Sequence, residues 1–544
     1  MENVLNMRRR FALAILCCLP AACTGAGTQS HSASGPADEL RIETWAIPRN
    51  LNPIFSTNTS ENFLAGLAFD ELVTNDPHGN DVPDLAAVVP TVQNGGISGD
   101  GKTIVYHLRH SVQWHDGAPF TSQDVKFSWQ AVMNSRNNVV ERRGYDEVRS
   151  VDTPDPYTVV FHLKEPFAPF VNTVFGESDD PFRVIPSHLL AKYADLNQVP
   201  FNTQPVGTGP FRVTRFIQGE EIDYSANGAY FRGKPHIAKI VVHFVTDHNT
   251  RETDLRSGVS DLANDVAPTI IRDVRNDKQL GVVMAESPQF LALEMNMAHP
   301  PLDDLRVRQA IASAIDKNAI IRNDTYGTAD PATEDLSHYY WAYDGQVPQI
   351  PLDRARSAQL LDAAGWKMGP AGIRMKDGQP LSFVLEFERG QPTFRVVGVQ
   401  VQSDLRAVGI DVQIKQIDPT MLYATVAAGG ILMAGKFDLV LYPWIAGADP
   451  DDSQQWTCRY VPPNGNNITH FCNPAMDTAE HVAMTNVDRA SRKAAYARTQ
   501  LLLAQNEPAD FLYYYRRLYV INPRLKNFDP NGVSEGWNAY EWSL

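Results

Sequence analysis

Beyond its N-terminus the chain has no stretch of 18 or more apolar residues, which excludes a multi-pass membrane protein. Positive charge is also short: Lys+Arg number 48 against 63 Asp+Glu, a net charge of −15. A surface of that sign repels nucleic acid and anionic membrane, so neither is expected as a direct partner. Catalytic signatures are missing as well. No GxSxG elbow, HExxH, P-loop or GxGxxG occurs, and the 14 histidines show no ligand spacing on a common helix face. No enzyme activity, cofactor or metal is therefore expected. A secreted hydrolase is the rival from another class, and it needs a nucleophile or acid/base pair that the sequence does not offer.

Cysteine is scarce. Of five, Cys17, Cys18 and Cys23 lie in the leader region, leaving Cys458 and Cys472 in the body. The segment between that pair, RYVPPNGNNITHF, is rich in Pro, Gly and Asn, so the chain can turn back on itself. A disulfide closing such a loop contributes roughly 3 kcal/mol. A metal site using these cysteines and His470 lacks a clear fourth ligand and the paired CxxC spacing. The disulfide is favoured.

What is present begins with the leader. Arg8, Arg9 and Arg10 precede a short apolar stretch, Phe11 to Leu19, and then Pro20-Ala21-Ala22 ahead of Cys23. This is a secretory signal, too short to be a stable span. The cysteine after it resembles a bacterial lipobox, with Pro20 where that pattern prefers Leu. Lipidation at Cys23 is expected, and the alternative is an ordinary signal cut after Ala22. Residues 23–39 read as the anchor and a flexible tether.

At 544 residues, 43% of them hydrophobic, the chain should fold as two or three soluble domains. Short β-like runs alternate with amphipathic helices. Ile104, Tyr106 and Leu108 share one strand face, and Tyr157 to Leu163 is β-rich. Thr121 with Asp124 marks a helix start. Asp303-Asp304 opens a helix carrying Val307, Ala310, Ile311 and Ala314 on one face, and Val397, Val401 and Leu405 suggest another. Gly365 reads as a helix cap, and Arg489 to Gln505 as a helix that Pro508 terminates. FDLVLYPW (437–444) and FLYYY (511–515) read as buried strands. Two short stretches invite chemistry. Trp114-His115-Asp116-Gly117 suggests a His–Asp pair, but neighbours on a strand point to opposite faces, so a strand end and turn is preferred. Gly207-Thr208-Gly209-Pro210 lacks the Lys-Ser/Thr of a phosphate loop, so a tight connection is preferred.

The ordered set of blocks is more telling. Phe69-Asp-Glu-Leu72 and Val82-Pro83-Asp-Leu85-Ala86 come first, followed by the run from Asp100-Gly-Lys102 through Trp114-His-Asp-Gly117 and Pro119-Phe-Thr121 to Phe127-Ser-Trp129. Pro205-Val-Gly-Thr-Gly-Pro-Phe211, Gly233-Lys-Pro235, Ser257-Gly258 with Asp261, and Val307-Arg308-Gln-Ala-Ile311 continue the order. Together these resemble the family 5 extracellular solute-binding proteins, the dipeptide, oligopeptide and nickel group of ABC importer receptors.

That resemblance implies an α/β fold of mixed sheets in a two-lobed, periplasmic-binding-protein-like clamshell, with an extra α+β subdomain and two hinge crossovers. The implied division is a signal peptide at 1–22, tether at 23–39, lobe I at 40–75, inserted subdomain at 76–198, lobe I again at 199–288, lobe II at 289–505 and a return to lobe I at 506–544. It also implies an exported, lipid-anchored monomer in the periplasm or on the outer face of the cytoplasmic membrane. Such a protein captures an oligopeptide or related solute and passes it to ABC permease subunits; metal chelates, haem, sugars and opines are the alternatives. A sensor or chaperone role on the same fold is a further alternative. By position, main-chain edges for the ligand would be Asn58, Thr59 and Ser60, and Tyr442 to Ala446, including Ile445. Trp444 would pack either on the ligand or in the core. Many peptide-binding relatives carry an Asp three residues after this Trp that pairs with the ligand amine. Here that place is Gly447. Either Asp449 reaches the amine instead, or it is an Asp-Pro turn former and the ligand is not a free-amine peptide.

Overall fold

The computed structural model describes residues 38–56, 59–179 and 181–544. The expected signal, tether start and lipidated Cys23, and the expected ligand edge at Asn58, lie outside these residues. Among the described residues no helix is long and apolar enough to cross a membrane.

Strand β1 (Glu39–Thr44) is followed by helix α1 (Thr59–Ala68). A separate antiparallel sheet comes next, from β2 (Thr103–His107), β3 (Val148–Asp155) and β4 (Thr158–Leu163), with β4 in the middle. Ile104 and Tyr106 face its core, as their alternation predicts. Helix α2 (Ser122–Met133) packs on this sheet; Asp124 accepts the Thr121 N–H at 2.9 Å, the return half of a capping box.

The main sheet collects strands from both ends of the sequence. In chain order these are β1, β5 (Phe211–Ile217), β6 (Glu221–Ala226), β7 (Lys239–Phe244), β8 (Leu262–Ala263), β9 (Gly281–Met295), β10 (Ser382–Glu388), β11 (Asp411–Ile417), β12 (Leu439–Trp444) and β13 (Ala509–Ile521). Their spatial order is β11-β10-β12-β9-β13-β8-β1-β7-β6-β5. Two apolar cores sit along it. One gathers Leu40, Ile42, Leu85, Trp114, Phe161, Phe211 and Trp542; the other gathers Leu291, Val307, Leu361, Leu385, Val401, Leu439 and Leu512. Helices α3 (Leu305–Ala314), α4 (Arg354–Ala363) and α5 (Pro392–Ala407) cover the second core, and α3 and α5 bury the apolar faces read from their sequence periods. Gly365 adopts φ +92° just after α4, the left-handed turn its cap position requires.

Among the described residues, β9 and β13 are the strands that run through both halves of the molecule. Gly281–Glu286 pairs with Ile521–Arg516 beside the first core, and Phe290–Glu294 pairs with Tyr514–Ala509 beside the second. Between Glu286 and Phe290 the register shifts, and Pro288 there has no N–H to give to a ladder. The molecule is therefore two lobes joined by a pair of long strands that are least tightly laddered where they cross, a hinge geometry. The ends of the chain close lobe I: buried Asp261 takes both Arg41 of β1 at 3.1 Å and Arg524 of the C-terminal return at 2.7 Å.

Both short stretches that invited chemistry turn out to be one structural joint. Asp116 pairs with His188 at 2.8 Å, so the His115–Asp116 pair does not exist as a unit. His115 instead stitches to the glycine loop. Its Nε2 meets the Gly209 carbonyl at 3.0 Å, and its Nδ1 accepts from Gly207 N–H at 3.2 Å. Burial lowers its pKa to about 4, so the ring stays neutral. A Cβ on Gly207 would lie 1.8 Å from the Ala68 carbonyl oxygen, which explains the glycine without any phosphate.

Candidate functional site

A cavity of about 210 Å³ lies between the lobes. One wall comes from the loops of the inserted α+β region, with Arg143, Tyr145, Asn172, Ser178, Asp179 and Phe182. The other comes from the end of β12 and the chain after it, with Trp444, Ala446, Gly447, Asp449, Asp451 and Gln454.

The β12 wall starts from a strand. Leu439 to Tyr442 are buried, while Pro443 and Trp444 emerge half-exposed. On one side β12 pairs with β9 along its whole length, from Met295–Leu439 to Phe290–Trp444. On the other, β10 pairs with it only at Leu439 and Val440, so beyond Val440 no strand among the described residues occupies that edge. Trp444 both lines the cavity and packs against the cluster of Phe290, Trp456 and Phe471. The two roles left open for it are thus compatible. Tyr442, packed edge-on against Tyr423 and tilted against Trp444, does not line the cavity, and neither does the exposed Ile445.

The chain beyond Trp444 is fixed by its own lobe. Arg492 of α7, where α6 is Pro474–Thr485 and α7 is Arg489–Asn506, donates to Asp449 Oδ1 at 2.6 Å and to the Ala483 carbonyl at 2.8 Å. Burial opposes the Arg492 charge, but Asp449 and Tyr496 beside it hold its pKa above the ordinary value. Asp449 is therefore answered from behind, by an arginine, before any ligand amine arrives. Tyr340 donates to the Gly447 carbonyl at 2.9 Å, and burial raises its pKa, so it stays a donor. Behind Asp451 three buried carboxyls, Asp335, Asp452 and Glu480, crowd together, with Trp456 Nε1 donating to Asp335 at 3.0 Å. Burial raises all three pKa values, Glu480 to about 8. The expected disulfide is present: Cys458 and Cys472 are bonded and close a loop that includes the cavity residue Asn466.

The opposite wall is held by aromatic packing and one buried acid. Tyr145 packs between Phe175 and Phe182, and its hydroxyl accepts the Phe175 N–H at 2.9 Å. Glu177, fully buried, accepts from Thr74 and from Asn531 at 3.1 Å, which pins the turn carrying Ser178 and Asp179.

The walls meet at two places. The Ala448 N–H donates to the Glu177 carbonyl at 2.8 Å. Arg143 reaches across to Asp451, and its Nη2 also donates to Ser453 Oγ at 3.1 Å. At the first meeting point a Cβ on Gly447 would lie 2.7 Å from the Asp179 nitrogen and the Ser178 backbone. That contact is the physical reason for a glycine where the resemblance led one to look for an aspartate: no side chain fits.

Of the expected ligand residues, Trp444, Ala446 and Asp449 come together at the cavity; Tyr442 and Ile445 flank it. The extended edge expected at Thr59 and Ser60 is corrected. Thr59 and Ser60 open helix α1, and Ser60 is buried with its hydroxyl accepting from Thr44 at 3.0 Å. Arg143, Asn172, Asp179 and Asp451 were not foreseen. Arg143 stands beside Arg142 in ERRGYDEV, a weak signal.

Residues 82–466 match the family described as bacterial extracellular solute-binding proteins, family 5 Middle. Protein XP55 of Streptomyces lividans is 31% identical over 92% of this chain and 87% of its own length. The oligopeptide-binding protein AppA of Bacillus subtilis is 25% identical over 98% and 97%. Among solved structures, NikZ from Campylobacter jejuni in complex with Ni(L-His) superposes with a TM-score of 0.78 at 27% identity, covering 94% of this chain and all of that one. With two lobes, a hinge of paired strands and a cavity between them, the chain belongs to the bacterial extracellular solute-binding proteins of family 5.

Proposed function

We propose that this protein is the receptor of an ABC importer, which shuts its lobes on an oligopeptide or related small solute and releases it to the permease. The observation that carries this reading is the cavity itself: set between lobes, lined from both, and bridged by the Ala448–Glu177 backbone bond and the Arg143–Asp451 ion pair. Nothing in this arrangement needs to break a bond. Closure removes the solute from water, and polar groups on both walls replace its hydration. The unoccupied β12 edge beyond Val440 suits an extended ligand backbone, which pairs with main chain and so tolerates varied side chains. AppA, an oligopeptide-binding protein by name, supports the peptide class. The protein works as a monomer, exported and tethered through lipid on Cys23, outside the cytoplasmic membrane.

Native mass spectrometry of the folded body, purified under mild conditions, tests this reading, together with thermal shifts in pooled peptides. A retained peptide mass and a raised Tm are expected. No retained mass and no shift with any pool would contradict it. The Ni(L-His) complex of NikZ motivates the second reading, a small metal chelate, and the same spectrum would show it as a metal-bearing adduct.

A further inference from the structure

We propose that Tyr339 is a positioning residue for solute capture: carried by lobe II, its ring seats in a glycine-walled socket of lobe I when the lobes shut, and it adds to solute affinity without touching the solute. This goes beyond the receptor reading and rests on its closing step. Tyr339 is buried, yet it does not line the cavity. It sits on a strap, residues 333–344, that lobe II holds at both ends. At one end the Tyr514 hydroxyl of β13 accepts the N–H groups of Thr333 at 3.3 Å and Glu334 at 3.2 Å. At the other, Gln500 of α7 donates to the Ala342 carbonyl at 3.1 Å and accepts the Asp344 N–H at 2.9 Å. The strap therefore travels with lobe II.

The socket travels with lobe I. Gly532, in the C-terminal return, accepts at its carbonyl from Arg517 at 3.0 Å, and Arg517 lies on the half of β13 beside the first core. Its neighbour Asn531 donates to the Asn75 carbonyl at 2.7 Å. A Cβ on Gly532 would lie 2.7 Å from the Tyr339 ring and 2.8 Å from the Glu286 carbonyl oxygen, and one on Gly79 would lie 2.7 Å from the Tyr339 carbonyl oxygen. No positive φ calls for glycine at 532; the close approach of the ring does. Val533 packs against the same apolar cluster as Leu336, Tyr339, Ala448 and Tyr496. Two neighbours in the strap tie this seat to the hinge and to the cavity. Ser337 donates to the Ser287 carbonyl at 2.8 Å, where the register of β9 shifts. Tyr340 donates to the Gly447 carbonyl at 2.9 Å, beside the point where the walls meet. A ring on one lobe and a socket on the other fit at one inter-lobe angle, so seating favours the shut form and slows solute release.

Stopped-flow fluorescence with two probes, trialanine and a tryptic digest of casein, tests this role. Tyr339→Ala is expected to release both probes about ten-fold faster and by the same factor, with association changed by less than about three-fold. Tyr339→Phe keeps the ring and should stay within about two-fold of the parent. A folded Tyr339→Ala with unchanged release would overturn the proposal. So would a loss confined to one probe, which would put Tyr339 against the solute itself. Hydrogen exchange on the unmodified protein decides the matter even where Tyr339→Ala fails to fold. Loading with the digest should slow exchange in the peptides that contain Gly79, Gly532 and residues 336–343. Protection at 446–451 with those three unchanged would overturn the proposal and leave the receptor reading standing. No protection anywhere with either probe would remove the peptide reading and this proposal together.

Discussion

The wall grown from β12 is set by a strand, and the wall grown from the inserted region is set by turns. On the first, a strand sets the main chain, α7 supplies Arg492 for Asp449, and a disulfide closes the loop behind. On the second, turns set the main chain, aromatic rings and Glu177 hold it, and Asp179 and Glu141 look onto the cavity. The difference teaches a division of labour within one clamshell. One lobe offers a stiff surface with a main-chain edge, and the other offers turns held from behind by packed side chains. Arg143 is the side chain of the inserted wall that fastens the two together.

Four substitutions and one pH series would break or sharpen that contrast. Cys458→Ser with Cys472→Ser should lower the unfolding free energy by about 3 kcal/mol, measured by chemical denaturation, since the bond restricts the unfolded chain. If the stiff wall is self-supporting, solute affinity should fall much less than stability. Gly447→Ala places a methyl against the backbone of Ser178 and Asp179, and overpacking there should cost about 2 kcal/mol of closure, or roughly thirty-fold in Kd. The Tm without solute should barely move. Unchanged affinity in calorimetry would mean that the walls do not meet at this point in the bound state. Arg143→Met leaves Asp451, 7% exposed, without its partner in the closed form. Because Arg143 itself is partly solvated, about 1 kcal/mol is expected, read as faster solute release in stopped flow.

The acids behind Asp451 give a pH signature. Glutamate ionises near 4.5 in the unfolded chain, while burial keeps Glu480 protonated up to about 8 in the folded one. Between those values the folded state holds a proton that the unfolded state sheds, so Glu480 subtracts stability increasingly from about pH 5 to pH 8 and adds no further loss above. Glu480→Gln should therefore gain stability relative to the parent across that window, and a pH-independent difference in Tm would refute the assignment. Smallest is Ile445→Ser, exposed and outside the cavity, which should shift stability and affinity by no more than about 0.5 kcal/mol.

Much of the scaffold was legible because its signals are periodic. The alternation of Ile104 and Tyr106, the helical stripe from Val307 to Ala314 and the apolar run ending at Trp444 each report a burial pattern that the fold then uses. Half of the site was legible for the same reason: Trp444 lies at a strand end, and Asp449 a few residues on. The opposing wall was not, because Arg143, Asn172 and Asp179 sit in turns, where no period marks which side chain faces inward. The helical start at Thr59 was misjudged as an edge, since Ser60 is buried by a partner, Thr44, sixteen residues away. Nor does any local pattern announce that Asp449 is claimed by Arg492, 43 residues further along the chain.

Small-angle X-ray scattering on the solute-stripped protein, before and after titration with a peptide pool shown by native mass spectrometry to load it, tests the hinge most directly. Closing about the paired strands β9 and β13 should reduce the radius of gyration in step with the fraction loaded. A loaded protein whose scattering curve is identical to that of the empty one would contradict the account.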